Sequence, residues 1–228
     1  MICNSLEELL EYKFKEKALL IEAISHPSMR GTSDFKGRDY ERLEFLGDAV
    51  VNLIVTNVLF AQFPKYPEGE LAKIRAYLIS KEYMVQKAQE LEIGKYIIMA
   101  FGEEASGGRS NPNNLENVLE AIIGAIFLDG GFAAAEKVVQ NIWGKVDPEV
   151  GVQANPKSTL QEMMQDLNMK LPHYEVIKKE GEMHAPTYTV SVKANDGLIE
   201  YGVGNNIKSA EKNAAKNMIK KLKNQSHE

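Results

Sequence analysis

Apolar side chains recur at helical spacing through most of the first 145 residues. Residues 5–25 carry this pattern, and an almost wholly apolar segment begins at Tyr40 and ends near Phe63. Further helices are predicted at residues 71–78, 81–91, 115–128 and 132–145. Residues 102–112, rich in Gly, Ser and Asn, are predicted to form a loop. Because no alternating strand pattern appears before residue 150, we predict that this part of the chain is all α.

The pattern changes after residues 147–157, which contain two prolines and few apolar side chains. An amphipathic helix and three strands are predicted next, at residues 158–167, 173–178, 187–193 and 197–204. A last helix at 208–223 can be capped by Asn205 or Asn206. The fold class is therefore α+β, in two domains. These are an all-α domain at residues 1–147, a linker at 148–153 and an α-β-β-β-α domain at 154–224.

Three carboxylates interrupt the long apolar helix. Glu41, Glu44 and Asp48 are separated by three and four residues, so they share one narrow stripe of the helix. Since a helix that is apolar nearly all round is expected to be buried, we expect these acids to be buried, which is costly unless a cation neutralises them. The stripe therefore predicts a divalent metal. In the second strongly apolar helix, Asn117 and Glu120 also share a face.

The net charge of the chain is −5, but the two predicted domains differ in charge. Residues 155–228 carry 11 Lys and no Arg against 9 acidic residues, a net charge of +2. Residues 1–154 carry 16 basic and 23 acidic residues, a net charge of −7. This asymmetry is typical of a binding module attached to another domain.

The N-terminus has neither the basic nor the apolar region of a signal peptide, and no apolar run reaches the ~20 residues that span a bilayer. Cys3 is the single cysteine, so the chain forms no internal disulfide, which suits a reducing compartment. These observations predict a cytoplasmic protein without a membrane partner.

The last predicted helix carries four lysines on the side opposite its apolar residues: Lys208, Lys212, Lys216 and Lys220. Such a stripe is consistent with a solvated helix face and also with anion binding near the helix N-terminus. The stripe and its surroundings resemble a double-stranded-RNA-binding domain. The motifs are Pro172-x-Tyr174, a loop at 179–186 with His184 near its tip, Gly202-Val203-Gly204 and Lys208-x-x-x-Lys212-x-Ala214-Ala215.

The resemblance assigns contacts within that module. Such domains read the shape of duplex RNA across two minor grooves. The resemblance implies that Gln161 contacts one minor groove and His184 the next. Lys208 and Lys212 would hold the phosphates between the two grooves.

Motifs throughout the chain are similar to those of the ribonuclease III family. They are His26-Pro27-Ser28, the signature Glu41-Arg42-Leu43-Glu44-Phe45-Leu46-Gly47-Asp48, Glu68-Gly69-Glu70-Leu71, Gly107-Gly108 and Asn117-x-x-Glu120-Ala121. The resemblance implies an endoribonuclease that hydrolyses double-stranded RNA with Mg²⁺, for which Mn²⁺ can substitute, and without an organic cofactor. It also implies products with 5′-phosphates and short 3′ overhangs, made from precursors of ribosomal RNA and from some messenger and transfer RNA precursors.

The same resemblance implies roles for single residues. The metal ligands would be Glu44, Asp48, Asn117 and Glu120. Of these, Asp48 and Glu120 would be catalytic. Glu41 and Glu68 would be auxiliary, serving a second metal or ordering the site, with a surface salt bridge as the alternative interpretation. The family works as a homodimer, and Phe45 matches its aromatic residue that inserts into the partner subunit; a plain core phenylalanine is the alternative.

Two positions depart from the pattern that is usual in the family. Tyr40 stands where an Asn usually precedes the signature, and Asn117 stands where Asp is usual. An amide oxygen can ligate Mg²⁺ but is neutral, so we expect weaker metal binding and retained cleavage. The alternative function is a non-cleaving double-stranded-RNA-binding protein with an impaired metal site.

Overall fold

The structure is a computed structural model that describes residues 2–32, 35–147, 155–182, 185–194 and 197–225. Contacts divide the chain into two compact units, Met1–Val146 and Asp147–Glu228. The predicted linker, 148–153, lies outside the described residues, so the predicted domain boundaries stay predictions. The predicted fold class is confirmed: a helical unit precedes an α-β-β-β-α unit.

The first unit is built from seven described α-helices. Their bounds are α1 Ile2–Leu9, α2 Lys17–Ile24, α3 Glu41–Gln62, α4 Glu68–Leu78, α5 Lys81–Glu90, α6 Phe101–Ala105 and α7 Pro112–Trp143. Short 3₁₀ turns lie at Pro27–Met29, Ile93–Tyr96 and Gly108–Ser110. The only β pairing described in this unit is a single parallel bridge between Ser25 and Ile98.

The prediction of a loop at 102–112 is wrong in part. This segment contains most of α6 and one 3₁₀ turn, and α7 already begins at Pro112. Asn111 caps α7 by accepting a hydrogen bond from the backbone N–H of Asn113 at 2.9 Å. The helices predicted at 115–128 and 132–145 form one element that is broken at Gly131, where φ is 78° and ψ is −177°. This positive φ favours glycine.

Helices α3 and α7 are more apolar than we expected from the sequence. By length and composition alone each could cross a membrane, although core helices of soluble proteins pass the same test. In this fold the two helices pack extensively against each other. Their buried residues, such as Ile54, Ile122 and Ile126, lie in the core of the unit.

Two glycines allow the backbones of α3 and α7 to touch. A Cβ atom on Gly47 would lie 1.9 Å from the carbonyl oxygen of Glu120, and one on Gly124 would lie 2.4 Å from the carbonyl oxygen of Leu43. Both distances are far below van der Waals contact, so only glycine fits at this crossing. Asp48 follows Gly47 directly, so the crossing sets the carboxylates of α3 beside those of α7.

The second unit contains α8 (Pro156–Asp166), β1 (His173–Glu180), β2 (Thr187–Lys193), β3 (Ile199–Gly204) and α9 (Ile207–Gln225). The strands form an antiparallel sheet in the order β1-β2-β3. Its core joins both helices to the sheet through Leu160, Met164, Val192, Ala214 and Met218. As predicted, an asparagine caps the last helix: Asn206 accepts a hydrogen bond from the N–H of Ser209 at 2.8 Å.

Candidate active site

A cleft of about 660 Å³ lies where the N-terminal turns of α3 face the N-terminal half of α7. It is lined by Pro27, Tyr40, Glu41, Glu44, Phe45, Asp48, Glu116, Asn117 and Glu120. The fold therefore brings five of the six predicted metal-site and auxiliary residues of the first unit to one place. The sixth, Glu68, lies elsewhere.

The expectation that the α3 carboxylates are buried is wrong. Glu41 and Asp48 are exposed and Glu44 is half-buried. The buried positions of α3, such as Leu43, Gly47, Val50 and Ile54, follow one face of the helix, whereas Phe45 and Leu53 on other faces are exposed. The acids thus stand at the open rim of the packed face, where ions and substrate can reach them.

Glu41 has a cationic partner within the chain. The guanidinium of Arg30 donates to both oxygens of Asp39, at 2.5 and 2.9 Å, and also to Glu41. Hydrogen bonds from Arg30 are the main cause that lowers the pKa of Asp39. Both side chains of this ion pair are more than half exposed, so it matches the surface salt bridge that was the alternative interpretation of Glu41.

Among the acids of the cleft, Glu120 has the most strongly shifted pKa. Burial, together with the negative charges of Asp48, Glu116 and Glu44, raises its pKa to about 8, while Lys81 opposes this shift. Burial also raises the pKa of Glu44, with repulsion from Glu41, Glu116 and Asp48. Such repulsion among acids is relieved when a cation binds between them. Acids with strongly shifted pKa values in a cleft are also typical of functional sites.

Tyr40 and Asn117, the two positions that depart from the family pattern, contact each other. The Tyr40 ring is buried, with 3% of the residue exposed, and its hydroxyl lies beside the side chain of Asn117. Burial raises the pKa of Tyr40 to about 12, so the phenol is neutral near neutral pH. The ring also meets the edge of His26, with centroids 5.7 Å apart.

The His26-Pro27-Ser28 motif fixes one wall of the cleft. The Nδ1 of His26 accepts from the N–H of Ser28 at 3.0 Å, and its Nε2 lies 3.2 Å from Oδ1 of Asn114. The hydroxyl of Ser28 accepts from the N–H of Ala100 at 3.0 Å. These bonds tie the cleft wall to both α7 and the segment before α6.

Glu68 does not line the carboxylate cleft. It lies at the start of α4 beside a separate apolar groove of about 360 Å³ that also includes Thr56, Phe60 and Arg75. Thr56 is eight residues beyond Asp48, and at 1.5 Å per residue this places the groove about 12 Å along α3 from the acids. Within one chain the predicted auxiliary role of Glu68 therefore has no geometric support.

Glu116 is a cleft residue that we did not predict. Its carboxylate pairs with the ammonium group of Lys81 at 3.0 Å, and 19% of its side chain is exposed. The sequence contained a signal, because Glu116 precedes Glu120 by four residues and such residues share a helix face. Lys81 comes from α5, and no local pattern links that helix to the cleft.

The donor set of the cleft fits a hard divalent cation. Carboxylate oxygens and an amide oxygen are the ligands that Mg²⁺ and Mn²⁺ prefer. Among the described residues, no three His, Cys, Asp or Glu side chains are arranged to hold a metal as they stand. Since like charges repel, the acids are expected to converge only around a cation.

The predicted RNA contacts of the second unit are exposed where they are described. Gln161 lies on α8, and Lys208 and Lys212 lie in the first two turns of α9; all three are exposed. Neither lysine forms an ion pair with another described residue, whereas Lys221 of the same helix pairs with Glu200 at 2.6 Å. His184 lies outside the described residues, so its contact stays a prediction.

Phe45 is not a core residue, which removes the alternative interpretation of this side chain. It is 83% exposed. It lines the carboxylate cleft and also an adjoining, mostly apolar cavity of about 560 Å³ with Leu19, Leu46 and Leu128.

Both units match known families. Residues 16–146 match the model described as Ribonuclease-III-like, and residues 156–222 match the double-stranded RNA binding motif. Ribonuclease 3 of Rickettsia bellii (strain OSU 85-389) is 50% identical over 222 residues, which cover 96% of this chain and 97% of the relative. Ribonuclease 3 of Rickettsia conorii is 48% identical over 223 residues, which cover 97% and 98%.

A solved structure matches the first unit. The nuclease domain of ribonuclease III from Campylobacter jejuni superimposes with a TM-score of 0.56 and 43% identity. The match covers 60% of this chain and 93% of that domain.

Proposed function

The chain belongs to the ribonuclease III family of endoribonucleases that act on double-stranded RNA, and from this premise we propose that it cuts duplex RNA at the carboxylate cleft with a bound divalent cation. Members of this family are generally metal-dependent, and the donor set favours Mg²⁺, with Mn²⁺ as a substitute. The observation that carries the proposal is the single cleft shared by Glu44, Asp48 and Glu120.

The residues of the cleft would have different roles. Glu44, Asp48 and Glu120 supply anionic oxygens for the cation, and Asn117 supplies a neutral one. When bound, the cation lowers the pKa of a water molecule and stabilises the attacking and leaving oxygens of the phosphodiester. Because Glu120 keeps its proton up to about pH 8 without a cation, it must lose that proton to become a ligand. Cation binding is therefore coupled to proton release.

The second unit would deliver the substrate. Exposed Gln161, Lys208 and Lys212 suit contacts to duplex RNA by shape and charge. The products we propose carry 5′-phosphates and short 3′ overhangs and come from ribosomal, messenger and transfer RNA precursors. A cytoplasmic location would fit these substrates and stays a prediction.

Cleavage of a labelled duplex RNA on a gel tests the proposed function. Wild-type protein is expected to cut the duplex, and not single-stranded RNA of the same sequence, when Mg²⁺ is present. Glu120→Gln is expected to bind the duplex and fail to cut it, because a cation ligand and an anionic charge are lost. Glu82→Gln, an exposed neighbour outside the cleft, serves as the control and should cut normally. Absence of wild-type cleavage at any Mg²⁺ or Mn²⁺ concentration would instead favour a non-cleaving RNA-binding protein.

We further propose that two copies of the first unit associate through α3. The exposed Phe45 and the adjoining cavity with Leu46 and Leu128 suit a symmetric contact in which each Phe45 enters the partner's cavity. The related nuclease domain from Campylobacter jejuni is itself described with a flexible region involved in dimer formation. Such a dimer would place one cleft on each strand of the duplex.

Analytical ultracentrifugation tests this association. Phe45→Ala is expected to weaken the dimer roughly 10- to 100-fold, since a buried aromatic anchor is worth about 2 kcal/mol or more. Phe101→Ala, which removes a phenylalanine that is 85% exposed on α6, is the matched control and should sediment like wild type. A wild-type protein that stays monomeric at high concentration would contradict the proposal.

A further inference from the structure

We propose that Glu116 supplies the negative charge that Asn117 lacks, as a fourth carboxylate of the cation site. This assignment rests on the proposed function, because it concerns the same cleft. It differs from the ligand set that the family resemblance implies, in which position 117 itself carries the acid.

The position of Glu116 suits this role. It precedes Glu120 by four residues on α7, so the two side chains stand one above the other on one helix face, and both line the cleft. Glu44 of α3 lines the same cleft, so Glu116 borders the space between the two helices.

Asn117 lines the same cleft but brings no charge to it. The amide is neutral, so without Glu116 the anionic ligands that the cleft offers a cation would be Glu44, Asp48 and Glu120. With Glu116 the number returns to four, and affinity for divalent cations depends on the number of charged oxygen ligands.

The ion pair between Glu116 and Lys81 does not block this role. Lys81 begins α5 and 45% of its side chain is exposed, while its ammonium group also binds Asn113. An ion pair with one partner this exposed is weak, so a divalent cation can displace Lys81 from the carboxylate. In the metal-free protein, Lys81 would then hold Glu116 at the rim of the cleft.

Titration of Mn²⁺ into the metal-free full-length protein, followed by calorimetry, tests the assignment. Glu116→Gln is expected to weaken Mn²⁺ binding about 10-fold or more, whereas Glu82→Gln, the exposed acid on α5, should stay within about 2-fold of wild type. Glu116→Gln combined with Asn117→Asp should return close to wild-type affinity, because the charge is moved by one residue and not lost. Equal Mn²⁺ affinity of wild type and Glu116→Gln would overturn the assignment, as would a combined variant that binds as weakly as Glu116→Gln alone.

Lys81→Gln separates a ligand from a structural ion pair. If Glu116 only formed a structural pair, removal of Lys81 would weaken Mn²⁺ binding as Glu116→Gln does, and that result would overturn the assignment. As a ligand freed from its partner, Glu116 should instead bind Mn²⁺ as well as in wild type or more tightly. Cleavage is scored separately: a wild-type protein that binds Mn²⁺ with the expected variant pattern and cuts no duplex contradicts only the proposed function.

Discussion

Glu120 couples the chemistry of the cleft to the stability of the first unit. Burial and neighbouring acids raise its pKa from an ordinary value of 4.5 to about 8. Between these two pH values the folded protein keeps a proton that the unfolded chain has lost. The free energy of unfolding therefore falls as pH rises through this window, and the full penalty is present above pH 8.

This linkage predicts a pH-dependent effect of Glu120→Gln on the metal-free protein. At pH 8.5 the variant should be more stable than wild type by on the order of 2 kcal/mol, and near pH 4.5 the difference should vanish. Urea unfolding in the presence of a chelator, followed by fluorescence, measures the difference. Trp143 is the single tryptophan and is buried in the first unit, so it reports this unit alone.

Glu136→Gln is the matched control for this experiment. Glu136 also lies on α7, but outside the cleft, where it accepts a hydrogen bond from Asn57 at 2.6 Å. Its substitution should change stability by the same small amount at both pH values. A Glu120→Gln effect that is equally independent of pH would contradict the raised pKa.

The residues of the cleft differ in how far the sequence could predict them. Spacing within one helix sufficed to group Glu44 with Asp48, and the motif resemblance added Glu120. Spacing could not show that Arg30 pairs with Glu41, since that contact depends on how a loop returns to the start of α3. Spacing alone would also group Glu116 with Glu120, but the family motif contains the neighbouring position 117 instead.

At the scale of elements, the site depends on the crossing of α3 and α7. Helices with ordinary side chains pack with their axes 8–10 Å apart, and glycine at both contact points lets them approach closely. Gly47 and Gly124 lie within apolar segments, and the sequence pattern does not show that they are the contact points of two helices. Their role emerges only from the backbone contacts with Glu120 and Leu43.

Gly124→Ala is therefore expected to destabilise the first unit by about 2–3 kcal/mol, because its Cβ atom would meet backbone atoms that cannot rotate away. It should also weaken Mn²⁺ binding, since the carboxylates on the two helices are forced apart. Urea unfolding followed by Trp143 fluorescence measures the stability.

Gly69→Ala is the control: Gly69 lies within α4 with no atom near its Cβ position, and the substitution should be neutral or stabilise by up to about 1 kcal/mol. Equal effects of the two substitutions would contradict the close crossing.

Element boundaries were predictable where local signals dominate. The double glycine at 130 and 131 marks the break in α7, and Asn206 marks the start of α9. The helix α6 was missed because a Gly-, Ser- and Asn-rich composition indicates a loop. The segment is held by a distant contact: Arg109 donates to the carbonyl oxygens of Gly94 and Ile97 at 3.0 and 2.9 Å.

At the scale of the whole molecule, charge separates the two functions of the chain. The acidic first unit, which would repel RNA unless cations occupy its cleft, holds the chemistry, whereas residues 155–228 of the second unit carry a net charge of +2. Affinity for duplex RNA should therefore come mostly from the second unit, and catalysis at saturating RNA from the first. The order of motifs along the chain sufficed to predict this division, because each unit is contiguous in sequence.

The paired substitution Lys208→Ala/Lys212→Ala tests this division. It should weaken binding of duplex RNA roughly 10-fold and reduce the slope of log affinity against log salt concentration by about 1–2, because up to two phosphate contacts are lost. The cleavage rate at saturating RNA should stay at the wild-type value. Filter binding across a salt series and single-turnover cleavage measure the two quantities.

Lys216→Ala/Lys220→Ala provides the matched control, because it removes the same charge from the same helix. Lys220 lies twelve residues beyond Lys208, about 18 Å along the helix axis at 1.5 Å per residue. If the start of α9 contacts phosphates directly, the control should lower affinity much less and leave the salt slope close to wild type. Equal losses from both pairs would mean that α9 attracts RNA only through its total charge, and a fall in the saturated cleavage rate would contradict the separation of binding from chemistry.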